Sequence, residues 1–548
     1  MKKNRLLRGA LGVAAACALL LPGGEALAVG SDKPLTVKES LLLAGNHLIG
    51  ILNPEEHYLP YWEMTILPNY RARLTRGWPA HNLGRWLDAM MRAERSVGQH
   101  IPPEMEEAMV ANVKRFFDNP DCIPLNPDLD PFGGGDRLIW DLHSLREGML
   151  ALNALARYRD NAWAAEMGDR MIESLDAKLR DDGTWDIERF DAFRERGPQV
   201  IHNLEACDTH GRMLEAVIWF YETTRSEKAR RFADRLARGH YDTTTQEDGR
   251  INPACRADHT HSYLGTLRGL LLYGRLTGRP EYIRRVADAY RVNVPAVVKP
   301  SGYTSHNMAV ESFGETTSPG DAVQLALWLH EEGYDEFLDD ADRLVRSRIL
   351  PSQIVASEPL VPFAEGTCDA WRDLDRRVIG AYGGCHYHSP HGSSMPVTDV
   401  TSADVHTLVD VYNHIAVARP GGVEVVMHLD YEDDNVLVET SREDKGRLKI
   451  TMKRGGELSV RVPRWTPAGS VRFTRDGRDV RFGTEGCFAQ LRKVPAGAVI
   501  GMEYDLPETV TRETDQGVEY TVYWKGDEVV GISPNTDFFP LFPDMPAE

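Results

Sequence analysis

One unit recurs through most of the chain: an apolar stretch, a charged turn, and a second stretch in which a small residue precedes Asp. Ala216-Val217-Ile218-Trp219-Phe220 leads to Ala233-Asp234-Arg235, and Leu270-Leu271-Leu272-Tyr273 leads to Ala287-Asp288. Leu325-Ala326-Leu327-Trp328 leads to Ala341-Asp342-Arg343, with Gly168-Asp169-Arg170 as a weaker earlier copy. The aspartates at 169, 234, 288 and 342 are 65, 54 and 54 residues apart, the period of a repeated helical hairpin.

Apolar residues at three- and four-residue spacing predict twelve helices between about Thr36 and Ile415. They begin near Thr36, His81, Pro102, Arg137, Ala162, Cys207, Ser226, His261, Arg279, Pro319, Tyr334 and Thr401. Hairpins whose first helix is the more apolar suit a toroid of two concentric rings of six. An open α-solenoid uses the same hairpins. Long loops at 53–80, 120–136 and 296–318, rich in Gly, Pro, His and aromatics, favour the closed barrel, because loops of that length in a compact domain are usually functional.

After about Ala416 the pattern alternates, as in Val423-Glu424-Val425-Val426-Met427-His428-Leu429 and Leu458-Ser459-Val460-Arg461-Val462-Pro463, with turns at Asp476-Gly477 and Lys525-Gly526-Asp527. This predicts an antiparallel β-sandwich packed against the barrel. The expected division is a leader at 1–28, a barrel at 29–415 and a sandwich at 416–548. The leader reading rests on the basic start Met1-Lys2-Lys3-Asn4-Arg5, the apolar run to Leu21 and Ala26-Leu27-Ala28, which together resemble a cleaved export signal and point to a secreted or periplasmic protein.

The 548-residue chain carries a formal charge of -19, and removing Lys2, Lys3, Arg5 and Arg8 with Glu25 would take it to -22, which argues against a nucleic acid partner. No segment after the leader is long and apolar enough to span a bilayer. The six later cysteines, Cys122, Cys207, Cys255, Cys368, Cys385 and Cys487, are too sparse for a disulfide scaffold, although export permits a bridge or two. No interface announces itself in the repeat, so the pattern is silent on oligomeric state.

Chemistry then falls to the loops of the helical part. Glu311 and Glu315 lie in a glycine-interrupted loop before a helix, with Ser318 as N-cap, Pro319 at the first helical position and Asp321 completing a box-like cap. Two carboxyls in one pocket can be driven to different pKa values; two solvated loop acids read the same way. Gly383-Gly384-Cys385-His386-Tyr387-His388-Ser389-Pro390-His391 packs one thiol and three imidazoles into a short run, which with Glu315 could ligate zinc or simply bind substrate. His81, His143, His210, His259 and His261 each stand beside acidic or aromatic residues near helix starts, fitting a polar, sugar-sized pocket at one end of a barrel. Trp62, Trp78, Trp140 and Tyr303 could supply stacking faces.

These residues carry a resemblance. Gly77-Trp78-Pro79-Ala80-His81-Asn82-Leu83-Gly84-Arg85-Trp86-Leu87, Trp140-Asp141-Leu142-His143-Ser144-Leu145-Arg146-Glu147-Gly148-Met149-Leu150 and Gly211-Arg212-Met213-Leu214-Glu215-Ala216 are similar to segments of glycoside hydrolase family 127, the β-L-arabinofuranosidase-like proteins. The resemblance is patchy but spans most of the chain, and it implies an (α/α)6 six-hairpin glycosidase-like barrel with a trailing β-sandwich. Leu458-Ser459-Val460-Arg461-Val462-Pro463-Arg464-Trp465 also resembles a strand of that family.

Glu311-Ser312-Phe313 is similar to the family's Glu-x-Phe motif, whose glutamate is the acid/base. Glu315-Thr316-Thr317 resembles its Glu-Thr-Cys motif, and Gly384-Cys385-His386-Tyr387-His388-Ser389-Pro390 stands where its cysteine cluster is found. In the family a glutamate and cysteines bind zinc and one cysteine is the nucleophile. Here Thr317 replaces one cysteine, only Cys385 remains of the cluster, and Arg212 replaces a histidine, with His210 beside it.

The resemblance implies an exported glycoside hydrolase on an oligo- or polysaccharide. Glu311 would be general acid/base, with Cys385 or Glu315 as nucleophile or metal-linked partner. A metal, zinc if any, would take Glu315, Cys385, His386 and His388. His81, His143, His210, His259, His261, Trp78, Tyr303 and His306 would bind sugar. Two alternatives stand beside it: a polysaccharide lyase or unsaturated-uronide hydrolase using Tyr303, His306 and Arg212, and a non-catalytic glycan-binding relative.

Overall fold

The computed structural model describes residues 17–20, 26–29, 35–66, 71–125, 142–181, 185–191, 211–255, 259–308, 310–357, 360, 368–389, 394–543 and 545. Apart from two short strands, Cys17–Leu20 and Ala26–Val29, the leader expected at 1–28 lies outside them.

Among the described residues, twelve helices of seven residues or more build the first part of the molecule. They are α1 Val37–Gly50, α2 Pro79–Val97, α3 Pro103–Phe116, α4 Leu145–Arg159, α5 Ala162–Lys178 and α6 Met213–Thr224. The second half comprises α7 Glu227–Thr244, α8 Thr260–Thr277, α9 Pro280–Val297, α10 Thr317–Glu331, α11 Leu338–Leu344 and α12 Thr398–Ile415. The even-numbered helices form the inner ring, each packed on the next, and α12 closes on α2. That closure excludes the open solenoid. The odd-numbered helices form the outer ring, and α1 completes the last pair by packing on α12.

Burial follows from this placement. From Thr317 to His330 every residue of α10 is buried, whereas the outer α7 buries mainly Ala229, Phe232, Ala233, Leu236, Ala237 and His240. The repeated aspartates all sit on outer helices. Asp169 accepts from Ser226, the N-cap of α7, and Asp234 from Tyr273 of α8, at 2.8 Å, so each ties its hairpin to the next.

Connection length is strongly asymmetric. Inner-to-outer turns are short, at 160–161, 225–226 and 278–279, whereas outer-to-inner segments are long, at 51–78, 117–144, 179–212, 298–316 and 345–397. The described parts of these long segments lie at one mouth of the barrel, in front of the N-termini of the inner helices.

The helix α12 ends at Ile415 and the first sandwich strand begins at Ala416. One sheet has five strands, in the order Ala416–Arg419, Gly422–Val425, Gly456–Arg461, Phe488–Val494 and Gly483–Glu485; the other has six, centred on Lys445–Met452 and Val499–Asp505. Val425, Val438, Ile450, Val460, Phe473, Ile500 and Met502 fill the space between them. One pair departs from the antiparallel expectation: Gly422–Val425 runs parallel to Gly456–Arg461. The sandwich is bolted to the barrel by Arg461, which donates to Asp339 at 2.5 Å and to the buried Asp342 of α11.

A separate three-stranded sheet, Glu508–Asp515, Val518–Lys525 and Glu528–Ser533, turns back to the barrel. Its Tyr520, Val522, Trp524 and Ile532 pack with Tyr303, Cys385 and Tyr387. Glu513 accepts hydrogen bonds from Ser301 N (3.0 Å), Ser301 Oγ (2.6 Å) and the Tyr387 hydroxyl (2.6 Å). This sheet thus clamps the loops leading into α10 and out of residues 384–389.

Candidate active site

The long loops bring four imidazoles into one arc at the N-terminal mouth. His81 and His143 are parallel with ring centres 5.8 Å apart, His143 and His259 are 5.8 Å apart, and His259 and His306 stack at 4.4 Å. Carboxylates close both ends. Asp399 Oδ1 lies 2.8 Å from His81 Nε2, and Glu315 lies 3.6 Å from His259 Nε2 and 3.5 Å from His306 Nε2. Both acids are 16% exposed, whereas His81 and His143 are almost fully buried.

Local sequence explains the placement. Gly77 lies against the Trp62 ring, where a Cβ would come within 2.8 Å, and Trp78 adopts a left-handed φ of +40° immediately before Pro79 opens α2. Such outliers concentrate at functional sites, because surrounding structure must hold them. Here the strain sets Trp62 and Trp78 edge-on to His81, at 5.9 and 5.7 Å. Gly84 lets α2 approach α4 so closely that a Cβ would strike the Glu147 carbonyl, which brings Arg85 beside Glu147.

Beneath the arc the barrel axis is filled with charge rather than hydrocarbon. Arg85 donates to Glu147 (3.1 Å) and lies 2.6 Å from Asp399. Arg146 donates to Glu147 (3.0 Å) and Glu215 (2.6 Å), Arg268 bonds Glu215 (3.0 Å) and Asp321 (3.1 Å), and Arg212 bonds Glu147 and His143. His261 sits inside this network, accepting from Arg85 at Nε2 (2.7 Å) and donating from Nδ1 to Asp321 (2.6 Å).

The electrostatics follow from burial and pairing. Burial alone would raise the Glu315 pKa, but the imidazoles of His306 and His259 hold it well below the usual carboxylate range. Burial opposes ionisation of Asp399 too, and Arg85 and His81 override it. Burial brings His259 down to about 4 against the pull of Glu315, so its imidazole is neutral at pH 7. Asp321 is pushed up to about 7 by burial in spite of Arg268.

Several expectations are changed by this geometry. Glu311 stands outside the arc: its side chain is 50% exposed, accepts from Gln516 N at 2.6 Å and lies 3.6 Å from Lys299. The loop hydrogen bonds that present Glu315 to the histidines leave Glu311 facing the terminal sheet. Cys385 is buried, burial raises its pKa, and its sulfur accepts from Arg348 at 2.9 Å; that is the setting of a neutral structural thiol rather than a nucleophile.

The ligand set Glu315, Cys385, His386 and His388 does not converge. His386 is exposed and His388 packs on Tyr520. Among the described residues, the set whose donor atoms all lie within 4.8 Å of one another is His259, His306 and Glu315. Tyr303 is fully buried and its hydroxyl donates to the Ser312 carbonyl at 2.7 Å, so it offers neither a stacking face nor a lyase base. His261 lies beneath the arc and orients Arg85 rather than meeting sugar. His210, Trp140 and the His391 end of the 383–391 run lie outside the described residues. The α10 cap also differs: the helix starts at Thr317, and Asp321 turns inward to His261 instead of capping.

Asp399, Arg85 and Glu147 were not singled out by the sequence. Arg85 and Glu147 each sit one turn inside a helix behind a motif histidine, and that spacing was the available signal.

No protein-family model matches the chain, and no curated protein does so either. Solved structures do. A GH127 β-L-arabinofuranosidase from Geobacillus stearothermophilus T6 aligns at 12% identity over 82% of this chain and 76% of its own, with a TM-score of 0.50. A second GH127 β-arabinofuranosidase aligns at 12% identity over 89% and 78%, TM-score 0.56, and a glycoside hydrolase at 12% over 88% and 84%, TM-score 0.54. The chain therefore has the (α/α)6-barrel-plus-sandwich fold found in GH127 structures.

Proposed function

We propose that this protein is an exported glycoside hydrolase that releases sugar residues from a glycan at the N-terminal mouth of the barrel. The observation that carries this reading is the arc of four imidazoles closed at each end by an ionised carboxylate, beside two tryptophans. Imidazoles supply donors and acceptors for hydroxyls, Trp62 and Trp78 an apolar face for a sugar ring, and paired acids are what glycosidic cleavage needs. The fold shared with GH127 structures supports the same class.

In this reading Glu315 is the essential carboxylate of the pocket, held by its two histidines, and the hydrogen-bonded Asp399–His81 pair passes the proton to and from the leaving oxygen. Zinc is the cofactor that the imidazole and carboxylate donors of the pocket suit. Glu311, the acid named by motif resemblance, stays at the rim. The test is turnover on a panel of aryl furanosides and pyranosides. Glu315→Gln and Asp399→Asn should each lower kcat by about 100-fold or more while sugar binding, followed by calorimetry, persists. Undiminished turnover in both variants would falsify the assignment.

A further inference from the structure

The Thr317 substitution and the displaced Cys385 leave the thiolate-rich zinc site of the resembling family without its sulfurs, yet a different donor set converges at the same mouth. His259 comes from the residue before α8, His306 from the loop behind α9, and Glu315 from a short strand pair before α10. Their ligand atoms all lie within 4.8 Å of one another. His259 Nε2 is buried without a hydrogen-bond partner and aimed at Glu315 Oε2, 3.6 Å away.

Each donor is also held from behind, as metal ligands are. Ser262 Oγ lies 3.0 Å from His259 Nδ1 and fixes that ring with Nε2 facing the cluster. Thr317 Oγ1 donates to Glu315 Oε2 at 3.0 Å, so the residue that replaces a cysteine now orients the carboxylate. His306 is sandwiched between His259 and Phe313, whose ring centre is 5.0 Å away.

Cys385 is close in the fold but chemically excluded. Gly314 and Glu315 pair with Gly384 and Cys385, yet the sulfur is engaged by Arg348. The same guanidinium donates to the carbonyls of His386 and Tyr387, each at 2.9 Å, and so is fixed in place. A cation at that sulfur would face a buried, immobile positive charge.

We propose that this protein holds one divalent cation, zinc or a similar ion, through His259, His306 and Glu315 with no sulfur ligand, and that Cys385 is a structural thiol locked by Arg348. Three protein donors leave a coordination position open for water or a sugar oxygen, the pattern of catalytic rather than structural zinc. The proposal deepens the hydrolase reading and rests on it for the identity of the pocket.

The experiment is titration of chelator-stripped protein with Zn²⁺ by calorimetry and with Co²⁺ by absorption spectroscopy. The expected result is one equivalent bound, a cobalt spectrum without a thiolate charge-transfer band, and affinity weakened by about 100-fold in His306→Ala and Glu315→Gln. His306 is one-third exposed, so its variant should fold, and an unchanged thermal melt without metal checks this. Cys385→Ser should bind as the parent does. A charge-transfer band that vanishes in Cys385→Ser, absence of stoichiometric binding in the parent, or undiminished binding in His306→Ala overturns the proposal. Full turnover by stripped protein would overturn the catalytic character given to the cation while leaving the hydrolase reading intact.

Discussion

The two mouths of the barrel are built from the same six inner helices and differ in almost everything else. At the N-terminal mouth long loops deliver imidazoles, tryptophans and the carboxylates of Glu315 and Asp399. At the C-terminal mouth the turns are short, and an open cavity of about 750 Å³ is lined by Arg92, Glu94, Arg95, Arg157, Arg159 and Asp410. Helix polarity accounts for part of the contrast, since anions are favoured at helix N-termini and cations at C-termini. The ion pairs also differ in kind: Arg159 with Glu94 and Glu106 is partly solvated, whereas Glu147 and its arginines are fully buried. Long connections bring side chains from several helix starts together at the one mouth, whereas the short turns of the other leave its charged groups in separate, partly solvated pairs.

The sharpest way to break the comparison is activity. Glu315→Gln should lower kcat by about 100-fold or more, whereas Asp410→Asn at the opposite mouth and Glu311→Gln at the rim should each cost less than about tenfold. A large loss in Glu311→Gln would return the acid role to the motif glutamate and show that the loop closes over substrate. Next comes stability. Glu147→Gln leaves Arg85, Arg146 and Arg212 short of a buried counter-charge and should cost about 3–5 kcal/mol in denaturant unfolding.

Histidine titration sharpens the contrast with the opposite sign at each end. His47, buried on α1 beside the Arg377 carbonyl, is lowered to about 4 by burial. Its stabilising contribution is therefore complete above pH 6.5 and lost as pH falls toward 4, on the order of 3 kcal/mol, a loss that His47→Gln should remove. His414, near the C-terminus of α12, is desolvated, but Glu331 and Asp410 raise its pKa. Replacing it should cost more at pH 6 than at pH 9, because its contribution fades as pH rises through the raised value. Smallest is the surface: Arg159→Ala should change stability by no more than about 1 kcal/mol, since exposed pairs gain little net energy.

Glu513→Gln tests the clamp and should cost about 1–3 kcal/mol by weakening the acceptor shared by Ser301 and Tyr387. Activity should fall further than stability, because the loop it holds carries His306 and Glu315.

The helices were legible because burial against two neighbours imposes apolar periodicity on every inner helix; ten of the twelve expected starts lie within a few residues of a helix start, and the other two, Arg137 and Cys207, lie outside the described residues. The histidines were legible because an imidazole beside Asp or Trp at a helix start is chemically conspicuous. Arg85 and Glu147 were hidden for the opposite reason. A charged residue one turn into a helix reads as solvated unless one knows that the helix lies inside a ring. Tyr303 misled because an aromatic in a polar loop looks like a stacking face, whereas Tyr387, Tyr520 and Arg348 enclose it. Glu311 and Glu315 are four residues apart, and only the hydrogen bonds of the folded loop could separate the solvated acid from the one that the histidines hold.

The clamp by the terminal sheet also has a consequence in time. Glu513, Asp515 and Gln516 leave the ribosome after every residue they restrain, so both rings can form while the loop from Lys299 to Gly314 still lacks its fastener. The setting of Glu315 against its histidines then becomes a property of the finished chain, and a product ending before Glu508 should keep its helices and its Trp62–Trp78 pair but leave that loop unfastened.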